Sequence, residues 1–79
     1  MDHHELSQAF IRLDNDAVET IFDHLSGHNG FGSMSYKLSK AHVQGDEMYV
    51  CDILDYMNHH HPEMYKDFCG ELVIGRIIG

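Results

Sequence analysis

Tryptophan is absent, proline occurs once, and only five of the 79 residues are Lys or Arg. The shortage of basic residues excludes binding to nucleic acid through its phosphates, which needs clustered cations. It argues equally against attachment to an anionic membrane surface. The two cysteines, Cys51 and Cys69, are too few for a disulfide framework. They read as small buried hydrophobes in a reduced, cytoplasmic protein. No apolar run approaches the roughly eighteen residues of a membrane span. The N-terminus, Met1-Asp2-His3-His4-Glu5, has neither the basic start nor the apolar core of a signal peptide. Low-complexity segments and internal repeats are also missing, and a hydrophobic share of 43% argues against disorder.

What is present in excess is acid. Thirteen Asp and Glu give a formal charge of −8, which favours solubility and attraction to a basic surface. Such surfaces belong mostly to proteins that bind nucleic acid. The length suits one compact domain, residues 1–79. Domains of this size bury roughly 60–65% of the surface their unfolded chains expose. They often rely on a metal, a disulfide or a second subunit.

Helical periodicity appears first at Leu6, Ala9, Phe10 and Leu13. A second stripe is Val18, Ile21, Phe22 and Leu25, and Asp14-Asn15-Asp16 between them favours two helices over one. Asp16 with Glu19 fits a capping box for the second. Ser26 to Ser33 holds three glycines and reads as a loop, with Gly27 as a left-handed helix stop. This loop lacks the Gly-Lys-Ser/Thr ending of a phosphate cradle. Residues 34–43 fit two patterns. Met34, Tyr36 and Leu38 alternate as in a half-buried strand, whereas Met34, Leu38 and Ala41 suit a short helix. Asp46 is a plausible N-cap for a helix that buries Val50, Ile53, Leu54 and Met57. Pro62 sits at the first position of another helix, whose face is Met64, Tyr65 and Phe68 and which Gly70 ends. The tail, Leu72 to Ile78, is rich in β-branched residues and reads as a strand buried on both faces. The expected fold is therefore mainly α with a small β element: short amphipathic helices and a C-terminal apolar strand.

Eight histidines are the most unusual feature of the composition. His24 and His28 have the four-residue spacing of one helix face. His59, His60 and His61 lie together at a helix end, where imidazolium is favoured by the dipole. No Cys-x-x-Cys or His-Glu-x-x-His pattern accompanies them. No metal or other cofactor is expected, and a His-rich metal-binding or metal-sensing protein is an alternative reading. The acidic residues fall into two groups. Asp16, Glu19 and Asp23 share one side of a helix, and Asp52 and Asp55 share the outer side of another. These five are the expected partner contacts. A solvated helix face is the plainer reading of either group, and an acidic DNA mimic or antitoxin-like subunit is a further alternative. No nucleophile, base and orienting group can be assembled into a catalytic set, so a non-enzymatic role is expected.

A chain of 79 residues with charge −8, no catalytic pattern and an apolar tail at Leu72 to Ile78 resembles the small acidic proteins with which bacteriophages inhibit host defence. Those include inhibitors of restriction, of BREX-type exclusion and of CRISPR effectors. The resemblance is one of whole-chain character. It implies stoichiometric binding to a host protein in the host cytoplasm, often by a homodimer. An unpaired terminal strand would also invite twofold pairing. Leu72, Val73, Ile74, Ile77 and Ile78 are accordingly the expected dimer interface.

Overall fold

The computed structural model describes residues 2–78, and of residues 75–78 the backbone only. Five helices follow one another: α1 (His3–Ile11), α2 (Asn15–Leu25), α3 (Phe31–Gln44), α4 (Glu47–His60) and α5 (Pro62–Ile78). Among the described residues there is no strand. The expected α+β fold is therefore corrected to an all-helical one: the tail is not a strand, and residues 34–43, which fitted either pattern, are helical.

The tail is helical because its apolar residues continue an existing stripe. Met64, Phe68 and Leu72 recur every four residues, and all three are buried. A break at Gly70 would throw Leu72 out of that register. β-Branched residues in a helix cost only some tenths of a kcal/mol each, against about 1.5–3 kcal/mol for burying a leucine side chain. Burial wins, and Gly70 is carried along inside α5. Residues 34–43 follow the same logic. Phe31, Met34, Leu38 and Ala41 form one buried face of α3. Tyr36, which strand alternation would place beside Met34 and Leu38, is 72% exposed instead.

Aspartates start three of the helices. The carboxylates of Asp2, Asp14 and Asp46 accept from the backbone N–H groups of Glu5, Ala17 and Tyr49 at 2.8, 2.8 and 3.1 Å. This is the usual way to satisfy an orphan N–H of the first turn. Asp46 caps as expected. For α2 the cap is Asp14, two residues before the expected Asp16. Gly27 does not have the left-handed backbone expected of it. Gly30 (φ 87°) and Gly45 (φ 65°) do, at the start and end of α3. The loop is thus shorter than expected, since α3 begins at Phe31.

α4 packs against α1, α3 and α5, while α2 lies on α5. Phe10 sits in the middle, fully buried. Its ring meets Phe68 edge-on at 5.5 Å and lies 6.5 Å from Phe22. Around it close Leu25, Leu38, Val50, Leu54, Met57 and Leu72. The only buried polar side chain described is Ser7, whose hydroxyl donates to the His4 carbonyl at 2.8 Å.

Candidate functional site

The histidines are distributed as links between helices. His24 Nδ1 donates to Glu71 Oε1 at 2.9 Å, and His28 Nε2 to Asp67 Oδ2 at 2.7 Å. Both acceptors lie on α5, four residues apart, so the four-residue spacing of the histidines meets a four-residue spacing of carboxylates. These two rungs fasten α2 and the turn after it to α5. His3 Nδ1 lies 2.6 Å from Asp55 Oδ1, and His4 Nδ1 3.8 Å from Glu47 Oε2. Those contacts join α1 to α4. His42 Nε2 donates to the Leu13 carbonyl at 2.6 Å, satisfying the joint between α1 and α2. His59 Nδ1 donates to the Asp55 carbonyl at 3.1 Å in the last turns of α4. Among the described residues, no three His, Cys, Asp or Glu side chains gather where they could hold a metal ion.

One of these links has the outline of a catalytic relay. Asp55 holds His3, whose Nε2 accepts from the Tyr65 hydroxyl at 2.8 Å. Cys69 lies one turn further along α5, near enough to Tyr65 for each to affect the other's ionisation. The chemistry runs the wrong way for a nucleophile. Burial pushes the Cys69 thiol up. Burial likewise pushes Tyr65 up to about 12, helped by Cys69 and by the charge of Asp55. An activated cysteine or tyrosine needs the opposite shift. The His3–Tyr65 pair therefore acts as a clamp that brings α1, α4 and α5 together. Cys51 adds to it by donating to Ser7 Oγ at 3.5 Å.

The five acidic residues expected to form a contact surface are all exposed, but they do not form one surface. Asp16, Glu19 and Asp23 face solvent along α2, and none makes an ion pair with a described residue. Asp52 and Asp55 belong to α4, which packs closely with α1, α3 and α5. Even these two diverge: Asp52 borders α3, whereas Asp55 engages His3 of α1. In the tail, Leu72 is buried in the chain's own core, and Val73 and Ile74 are exposed. The side chains of Ile77 and Ile78 lie outside the described residues.

The most distinctive surface is one the sequence patterns did not single out. Tyr36, Val43, Met48 and Tyr56 are 72%, 83%, 74% and 46% exposed, all on the α3–α4 hairpin. Between the two helices runs a groove of about 220 Å³ lined by Met34, Lys37, Tyr49, Asp52, Ile53 and Tyr56. The Lys37 ammonium stands 5.6 Å from the centre of the Tyr56 ring. The same ring lies 4.4 Å from that of His60. A broader, shallower depression of about 390 Å³ follows the outer face of α3, between Tyr36, Lys40 and Val43. The clue was present in the spacing of Tyr36 and Val43, seven residues apart and hence on one helix face. It became readable only once residues 34–43 were known to be helical.

No protein-family model, curated protein or solved structure matches the chain. The function therefore has to be argued from this geometry. An open groove with an apolar floor, aromatic walls and two charged residues at its rim can hold a side chain of another macromolecule.

Proposed function

We propose that the chain is a non-catalytic binding protein that docks a partner protein through its α3–α4 face. The observation that carries this reading is the concentration of exposed apolar surface. Four of the six large hydrophobic side chains exposed among the described residues lie on that one hairpin. Clustered exposed apolar groups mark interaction sites more often than scattered ones do. Tyrosine and methionine are also enriched in interface cores. The resemblance to phage counter-defence proteins makes a host protein in the host cytoplasm the partner class we propose. Among the described residues, no helix is long and apolar enough to cross a membrane.

A second reading places the contact on α2, where Asp16, Glu19 and Asp23 are exposed and make no ion pair with a described residue, facing a basic surface of the partner. The two readings separate by mutation. Tyr36→Ala with Tyr56→Ala should abolish retention of a host partner in affinity capture, while Asp16→Lys, Glu19→Lys and Asp23→Lys together leave it intact. The reverse pattern would move the site to α2. Circular dichroism of each variant confirms that the comparison is between folded proteins.

A further inference from the structure

We infer that the partner presents an acidic amphipathic segment to the α3–α4 face, with a large apolar side chain in the groove and carboxylates on Lys37 and Lys40. This rests on that face being the docking surface. The chain is acidic throughout, yet α3 contains no Asp or Glu in its fourteen residues. It carries two of the chain's five basic residues, Lys37 and Lys40. Neither has a carboxylate within 4.0 Å among the described residues. Their three-residue spacing puts both on one side of α3, about 5–6 Å apart at Cβ. Lys37 lines the groove and Lys40 the depression beside it, so any occupant of both would cover both ammonium groups.

That covering decides the charge of the occupant. An uncharged segment would take two ammonium groups out of water with no partner, which is costly. A basic segment would add repulsion at Lys37 and Lys40, with one carboxylate, Asp52, lining the groove to offset it. Asp52 stands on the opposite wall of the groove, on α4. It sets the orientation: carboxylates lie along the α3 side and the apolar residue faces α4. The net negative charge of the rest of the molecule then disfavours docking of an acidic segment elsewhere.

The test uses two synthetic helical peptides with the same Trp and Leu pattern, one flanked by Glu and the other by Lys. Each is titrated into the ¹⁵N-labelled full chain. The Glu peptide should shift the amide resonances of Lys37, Lys40, Asp52 and Tyr56, and bind this face about tenfold more tightly than the Lys peptide, as two exposed ion pairs allow. Lys37→Glu with Lys40→Glu should invert that preference while the remaining resonances show the fold intact. If the Lys peptide binds this face as well as or better than the Glu peptide, the acidic occupant is wrong and the docking face stands. If neither peptide shifts those amides, the face itself is not the docking surface and both proposals fail.

Discussion

At the residue scale, the histidines and acids form one system. Five of the eight histidines reach a group far away in sequence: His3, His4, His24 and His28 a carboxylate, and His42 a carbonyl. Their abundance was visible in the sequence, but their use was not. A histidine–carboxylate link across helices depends on which helices pack, and only Asp67 and Glu71, spaced to match His24 and His28, hinted at it. The caps show the same limit. Asp14 and Asp16 are chemically equal candidates, and only the course of the backbone after Leu13 selects Asp14. One prediction belongs at this scale. The folded state holds the Tyr65 proton up to about pH 12, above the ordinary tyrosine value near 10. Between those limits the folded chain binds more protons than the unfolded one. Stability from this group is therefore complete below about pH 10 and is lost as pH rises through 12. Urea midpoints should fall between pH 9 and pH 11.5 more steeply for the wild type than for Tyr65→Phe. Parallel declines would show that the hydroxyl is not in the buried clamp.

Elements were legible where a single pattern applied. Leu6 and Phe10, Val18, Ile21 and Leu25, and Val50, Ile53, Leu54 and Met57 are buried as expected, whereas Ala9, Leu13 and Phe22 of the same stripes are half-buried. Legibility failed where two patterns overlapped. Strand alternation and helix spacing share Met34 and Leu38, and local propensity could not separate them. The tail failed because Gly70 and the β-branched residues were weighed without the stripe that runs through them. Gly70 now yields a sharp test of the helix. It is exposed, and a Cβ there would meet no atom within 4 Å. Gly70→Ala should stabilise the chain by about 0.5–1 kcal/mol through helix propensity and unfolded-state entropy. That corresponds to a rise in melting temperature of a few degrees for a domain of this size. A decrease would mean that the chain does not run through residue 70 as a helix. Gly45→Ala should act in the opposite direction, since its φ of 65° is strained for any side chain bearing a Cβ.

For the whole molecule, the correction of the tail changes what surrounds it. The expected homodimer drew on an unpaired strand edge, and a helix has none. Leu72 is already buried within the chain, which leaves Val73 and Ile74 as the exposed apolar residues described there. A stable interface engages roughly 20–30 residues on each side. Sedimentation at micromolar concentration tests the homodimer directly, since a monomer would run at 9.1 kDa. A dimer that Ile74→Asp dissociates would restore the tail as an interface. The acidity of the chain was plain from composition, but its relation to a binding face was not. Composition cannot show that the acids stand on α2 and on both flanks of α4, while an acid-free α3 carries exposed Tyr36 and Val43.

The claim that the α3–α4 face is where a partner docks is tested most directly by site-specific photo-crosslinking in host cells. A benzophenone side chain is placed in turn at Tyr56, at Thr20 on the acidic side of α2, and at Ile74 in the tail. The account predicts a covalent adduct to a host protein from position 56 and none from positions 20 or 74. An adduct from position 20 or 74, with none from position 56, would contradict it.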